Sequence, residues 1–272
     1  MLCGHPITLN GRKVPCGQCM NCRINRQRGH IGKILLEEAY APNNSSFLTL
    51  TYNEEHLPEN GTLIRSDLNA YLNRIRVGSL GKIRYFAVGE YGTDKIRPHY
   101  HLILFGVPAD VWEPYLAKKW NDSTGEPLGF TSVGDLRPGG AAYIAGYCTK
   151  KLTRKDDPRL EGKTPEFALM SKRPPLGAAG MNHIRDLCQT KSGALALTKY
   201  GNVPTTFRVQ GKQYPFSPYW REWLREQLGI PADIPDINQW EVPTRDWDRE
   251  YAQAKKQDEK KFRQRKRPKG CL

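Results

Sequence analysis

The stretch Arg97-Pro-His-Tyr-His-Leu-Ile-Leu-Phe105 constrains this chain more than any other. Its apolar end asks for a buried strand, and side chains two apart on a strand point to the same face. His99 and His101 then share one face, with Tyr100 turned to the other. Such a strand needs hydrogen-bonded neighbours. Ile83 to Glu90 reads as one, with the turn signals Gly92-Thr-Asp and Pro98 between the two, so the pair forms an antiparallel hairpin with a long loop. Phe47-Leu-Thr-Leu-Thr-Tyr52 alternates as a half-buried strand does.

Helical spacing flanks these strands. Ile24, Ile31, Ile34, Leu35 and Leu36 predict a helix over about 23–40, and Leu68, Tyr71, Leu72 and Ile75 predict another from Ser66 to about Arg76. Further helices are expected near 109–120, 141–152 and 217–229, the last with Ser217 as cap, Pro218 at the first position and Gly229 past the end. Residues 153–215 read as irregular, with strand-like pieces at 194–200 and 205–214. The sum is an α+β fold, a sheet with helices beside it. Three regions are expected: a Cys-rich element at 1–22, a main domain at 23–215, and a helix, linker and basic helix or disordered tail at 216–272.

The hairpin register sets Glu90 about opposite His99. Two imidazoles and a carboxylate with open positions suit Mg²⁺ or Mn²⁺ acting as a Lewis acid on a phosphate. The alternatives are a solvated strand end and a Glu90 paired with Arg97 or Lys95. In Ala142-Tyr-Ile-Ala-Gly-Tyr-Cys-Thr-Lys-Lys151, Tyr143 and Tyr147 are one helical turn apart, and Lys150 and Lys151 extend the same side. Two phenols and an ammonium suit phosphoryl transfer, with the phenolate as nucleophile and lysine stabilising the leaving oxygen. The alternative is an amphipathic helix buried through its aromatics.

Charge points to a polyanion. The 272-residue chain carries a net charge of +14, and nine Lys or Arg fall between Lys255 and Lys269. A second basic region contains Arg23, Arg26 and Arg28; with Arg97 beside the histidines, these are the candidate DNA contacts. No apolar run approaches the roughly 20 residues that a membrane-crossing helix needs, and the N-terminus lacks the layout of a signal peptide. A reducing cytoplasm is therefore the expected compartment. There, Cys3, Cys16, Cys19 and Cys22 suggest a structural Zn²⁺ rather than disulfides, with His5 an alternative to Cys3. The other reading is four ordinary reduced thiols.

His99-Tyr100-His101 followed downstream by Tyr143-x-x-x-Tyr147 resembles the HUH endonuclease superfamily. The chain is more closely similar to the replication initiators of microviruses, the small single-stranded DNA bacteriophages, and among them the gokushovirus-like type. Cys16-Gly-Gln-Cys-Met-Asn-Cys22, Phe47–Tyr52, Gly89-Glu-Tyr-Gly92 with Arg97–His101, and Tyr143–Lys151 carry the likeness, with a weaker echo at Met170–Gly177. The resemblance implies a central antiparallel sheet that carries the histidines and a helix that presents the tyrosines. It implies rolling-circle initiation in a host bacterial cytoplasm: a nick at the phage origin, a 5′-phosphotyrosine, a 3′-OH for host polymerase, and rejoining without ATP. Because no Gly-rich Gly-Lys-Ser/Thr motif is present, unwinding is expected to need a host helicase. Two other readings stay open: a non-enzymatic, zinc-stapled DNA-binding protein, and a transposase or relaxase with the same chemistry.

Overall fold

The computed structural model describes residues 2–41, 43–77, 83–92, 97–147, 160–209, 211–231 and 247–266. Two compact units emerge, Ile31–Thr190, and Met1–His30 together with Lys191–Leu272. Helix α1 (Met20–Glu38) contributes to both.

The unit 31–190 is built on a five-stranded sheet. Its strands are β3 (Ser46–Tyr52), β4 (Arg84–Tyr91), β5 (Pro98–Phe105), β6 (Gly129–Asp135) and β7 (Phe167–Met170), in the order β6-β3-β5-β4-β7. Every neighbouring pair is antiparallel. The histidine strand β5 is central, as its apolar character requires. Helices α2 (Arg65–Val77) and α3 (Ala109–Ala117) cover one face, where Leu48, Leu50, Tyr52, Tyr100, Leu102 and Leu104 meet Leu68, Leu72, Ile75 and Leu116. On the other face Phe86, Val88, Ile103 and Phe105 meet Ile34 of α1 and Ile144 of helix α4 (Gly140–Gly146). The α+β arrangement with a central antiparallel sheet is thus the one the sequence predicts. Helix α5 (Ala178–Gln189) completes this unit.

The other unit is assembled from both chain ends. Strands β1 (Ile7–Leu9) and β2 (Arg12–Val14) form a hairpin, closed by Asn10-Gly11 with both residues at positive φ. Helix α6 (Lys191–Tyr200), the hairpin of β8 (Thr206–Val209) and β9 (Lys212–Pro215), α7 (Pro218–Leu228) and α8 (Trp247–Lys266) supply the rest. Helix α7 keeps the expected caps: Ser217 Oγ accepts from Trp220 N at 3.3 Å, and Gly229 is left-handed. No helix among the described residues is long and apolar enough to cross a membrane.

Several elements depart from expectation. The piece at 194–200 is helical, not strand-like. Ala194-Leu-Ala-Leu alternates in sequence, but alanine and leucine are strong helix formers and no strand pairs with them, so propensity prevails. Region 153–215 also contains β7, α5 and the β8–β9 hairpin, and β6 replaces part of an expected Gly-rich stretch. The structure resolves the choice for the basic tail in favour of a helix over Trp247–Lys266.

Tyr100 pins β5 from the α2 side. Its fully buried hydroxyl accepts from Ile64 N at 2.8 Å, faces Ile64 O at 3.0 Å and lies 2.9 Å from the Tyr52 hydroxyl. Tyr100→Phe strands three polar groups in the core. It is expected to lower unfolding stability by about 1–3 kcal/mol, read as a lower urea midpoint with an unchanged slope.

Candidate functional site

The β4–β5 register places Glu90 directly opposite His99, and β3 sets Thr49 opposite His101. All four side chains therefore fall on the α4 face of the sheet. His101 Nε2 lies 3.2 Å from Glu90 Oε1, with both groups buried. His101 Nδ1 lies 3.0 Å from Thr49 Oγ1. The His99 ring lies parallel to that of His101, 6.4 Å between centroids.

Hydrogen bonds select the tautomer of His99. Its Nδ1 is 2.7 Å from the Arg97 carbonyl, which can only accept, so Nδ1 carries the proton and Nε2 keeps its lone pair. The Thr49 hydroxyl allows the same state at His101, where Nε2 then faces a carboxylate oxygen. Two lone-pair donors and a carboxylate on one face are the right donor chemistry for a divalent cation. In this structure His101 and Glu90 touch, while His99 stands one ring spacing away. Among the described residues, the four cysteines are the set whose ligand atoms all lie within 4.8 Å of one another.

Helix α4 supplies the tyrosines. Gly139 is left-handed at φ 89°, a conformation other residues resist, and it turns the chain into the helix. Tyr143 lies on α4 and Tyr147 at its C-cap, one turn on. Their hydroxyls are 2.5 Å apart. Their environments differ: Tyr143 is 57% exposed and Tyr147 only 7%. The Tyr147 ring stacks on His101 at 4.7 Å with 8° between planes, while Tyr143 meets His101 edge-on at 6.2 Å. Phe47 sits 5.9 Å from both His101 and Tyr143. Burial first, then the Tyr143 hydrogen bond and the nearby Glu90 charge, hold the Tyr147 phenol well above its ordinary pKa.

Not every candidate joins this group. Lys150 and Lys151, with the expected continuation of α4 to Leu152, lie outside the described residues. Arg97 is engaged by Glu54 and by the Tyr52 carbonyl, so it ties β5 to the end of β3 rather than to Glu90. Arg26 donates to the Gly17 carbonyl at 3.1 Å and Arg28 to the Gln213 carbonyl at 3.0 Å. Arg23 is half-buried on α1. Thr49 and Phe47 escaped the sequence reading. The alternation of Phe47–Tyr52 did carry the signal, because Thr49 and Phe47 occupy the same parity.

The cysteines form a second cluster. The β1–β2 hairpin returns Cys16 to Cys3, and Cys19 and Cys22 follow at the start of α1. Cys3 Sγ lies 3.5 Å from Cys16 Sγ and 3.8 Å from Cys19 Sγ. A disulfide needs about 2.05 Å, whereas Zn–S bonds of about 2.3 Å at tetrahedral angles set sulfurs about 3.8 Å apart. Backbone N–H groups of His5 and Cys16 donate to Cys3 Sγ, and those of Gln18 and Cys19 to Cys16 Sγ. Burial opposes ionisation of Cys16, but these N–H donors outweigh it and bring the thiol down to about 7. Burial pushes Cys3 and Cys22 up. Four sulfurs at this spacing can hold a zinc ion.

Residues 45–152 match the profile of a family described as replication-associated protein ORF2. That segment contains Glu90, both histidines and both tyrosines, and leaves out the four cysteines. The chain belongs to this replication-associated protein family. Beyond the matched segment, it is 35% identical over 178 residues to the replication-associated protein ORF2 of Spiroplasma virus 4, covering 58% of this chain and 54% of the relative. It is 29% identical over 190 residues to the replication-associated protein ORF4 of Chlamydia phage 1, covering 61% and 47%. Against the replication-associated protein VP4 of Bdellovibrio phage phiMH2K it is 31% identical over 158 residues, covering 53% and 50%. The chain thus spans about half the length of the curated relatives it matches. No solved structure matches.

Burial gives the tyrosines an alkaline signature. Tyr52, Tyr71, Tyr100 and Tyr147 all have raised pKa values, Tyr100 at about 12. Desolvation of the phenolate is the first cause at each. A raised folded-state pKa contributes stability that is full below the unfolded value of about 10 and is lost as pH climbs above it. In an alkaline titration followed by tyrosinate absorbance, these four phenols should ionise together with unfolding. Their ionisation in the folded protein near pH 10 would contradict the burial described here.

Proposed function

We propose that this protein is a replication initiator that nicks one DNA strand through a tyrosine and later rejoins it. The observation that carries the reading is the Tyr143–Tyr147 phenol pair packed on His101, beside Glu90 and His99, inside the segment matching replication-associated proteins.

Tyr143 acts first in this reading, because its phenol is the exposed member of the pair. Its oxygen attacks the scissile phosphorus, the P–O3′ bond breaks, and the 5′ phosphate remains on Tyr143 as a phosphodiester. The departing oxygen takes a proton and becomes the 3′-OH that primes host polymerase. The new ester conserves the energy of the broken linkage, so rejoining needs no ATP. After one round Tyr147 attacks the regenerated origin, and the released 3′-OH displaces Tyr143 to close a single-stranded circle.

His99 and His101 through Nε2, with Glu90, would hold Mg²⁺ or Mn²⁺. When bound, that ion supplies Lewis acidity toward the non-bridging oxygens of the scissile phosphate. Thr49 and the Arg97 carbonyl fix the imidazole orientations from behind. Stacking on His101 and the hydrogen bond to Tyr143 hold Tyr147 in place between rounds. Lys150 and Lys151 are assigned to leaving-oxygen stabilisation, and Arg23, Arg26, Arg28 and Arg97 to DNA contacts. Zn²⁺ is assigned to the four cysteines as a structural ion. Partners in this reading are single-stranded origin DNA, a host helicase and polymerase, in the cytoplasm of the host bacterium. The nicking domain corresponds to 23–215, between the Cys-rich element at 1–22 and the C-terminal region at 216–272.

The decisive assay cleaves a single-stranded origin oligonucleotide in Mn²⁺ and maps the DNA-bound residue by mass. Tyr143→Phe with Tyr147→Phe should abolish the covalent adduct; adducts at the wild-type level would refute the tyrosine assignment. His101→Ala should lower cleavage by at least about a hundredfold. Cleavage that survives chelation of Mg²⁺ and Mn²⁺ would remove the metal from the mechanism.

A further inference from the structure

Helix α8 takes no part in the proposed chemistry, yet it is firmly seated. It packs on the cysteine knuckle within the same unit. Asn21, fully buried, donates from Nδ2 to the Ala254 carbonyl at 3.0 Å, and Ala254 is itself buried. At Gly4 the backbones come so close that an added Cβ would stand 2.9 Å from Lys255 Cα. Only glycine leaves α8 room to settle there. Both anchors adjoin cysteines, since Gly4 follows Cys3 and Asn21 precedes Cys22. Whatever fixes those two cysteines also fixes the seat of α8.

Helical geometry then aims the charge. At about 100° per residue, Lys256, Lys260 and Arg263 fall within about 60° of one another, on the side opposite Ala254. All three are exposed. Arg249 falls in the same stripe, and Glu259 lies about 40° beyond its near edge. The seated face is small and apolar, and the outward face is a cationic row.

We infer that the four-cysteine site is a latch for α8, and that the latched helix presents this row to the backbone of single-stranded DNA as a second, sequence-independent contact surface. A hairpin of two three-residue strands is marginal by itself. Zinc binding converts directly into folding free energy of such an element. Zn²⁺ with four thiolates also carries a net charge of about −2, which favours a basic helix alongside. The occupant rests on the proposed DNA function; the latch does not.

The experiment uses the full chain carrying Tyr143→Phe with Tyr147→Phe, so that strand cleavage cannot affect the readouts. Zinc content is measured first, then amide hydrogen exchange over 247–266, then the salt dependence of binding to a labelled mixed-sequence single-stranded oligonucleotide. Zinc removal should lower protection of the α8 amides by about tenfold or more. Gly4→Val and, from the opposite side, Ala254→Glu should each lose that protection; Ala254→Glu should do so with zinc retained at one per chain. Lys256→Gln with Lys260→Gln and Arg263→Gln should keep zinc and protection, and should flatten the slope of log K against log salt by about 2. Equal α8 protection with and without zinc overturns the latch. An unchanged slope in the triple variant overturns the DNA surface, whether or not the Tyr-containing protein nicks.

Discussion

Parity along β5 is held by one buried phenol. Tyr100 lies between the two histidines, and its hydroxyl is engaged by both backbone groups of Ile64 and by Tyr52. Side chains alternate strictly along a strand, so a slip of one residue would turn Tyr100 outward and drive both imidazoles into the α2–α3 core. That exchange would bury polar rings among Leu68, Leu72 and Ile75 and leave the Ile64 groups unpaired. The aromatic residue between the histidines is thus a structural lock. It makes their shared face the lowest-energy arrangement available to the strand.

Once β5 is locked, its neighbours inherit the same parity. Glu90 on β4 and Thr49 on β3 fall on the histidine face because their partners do. Helix α4 then packs on that face through Ile144 and Tyr147. One helical turn separates the two phenols, and this turn carries the chain from buried to exposed. Two chemically identical side chains thereby acquire different properties. Tyr147 is desolvated, stacked and hard to ionise, while Tyr143 is open to an incoming strand. An alternating mechanism that starts at Tyr143 follows from this gradient without any further device.

The central sheet was legible because its strands carry strong patterns. Phe47–Tyr52 alternates, and the apolar run after His101 leaves few choices besides a buried strand. The Glu90–His99 register could be read because the hairpin fixes it. By contrast, β6 lies at the sheet edge with mostly exposed or half-buried side chains, so no apolar period announces it. The β1–β2 hairpin was marked only by Asn10-Gly11, a signal easily passed over between cysteines. The misread piece at 194–200 shows the limit of alternation as a guide. Leu195 is 64% exposed there, so the pattern reports no buried face at all. The seat of α8 was invisible for another reason. It depends on Gly4 and Ala254, which are small residues with no distinctive chemistry, 250 positions apart (254 − 4).

The two donor sets answer to different physics, and this explains why they need not share an ion. Imidazole nitrogen with a carboxylate suits a hard, exchangeable cation that keeps open positions for phosphate oxygen. Four thiolates saturate a tetrahedral ion and leave nothing for substrate. The sulfur set is also preassembled, with backbone N–H groups aimed at Cys3 and Cys16 and sulfurs already at zinc spacing. The histidine set is oriented but not closed, with His99 held off by its bond to the Arg97 carbonyl. A closed soft site builds structure; an open hard site waits for substrate to complete its coordination. Metal specificity in this chain is therefore written in donor chemistry at the two places, and the segment shared with other replication-associated proteins contains only the open one.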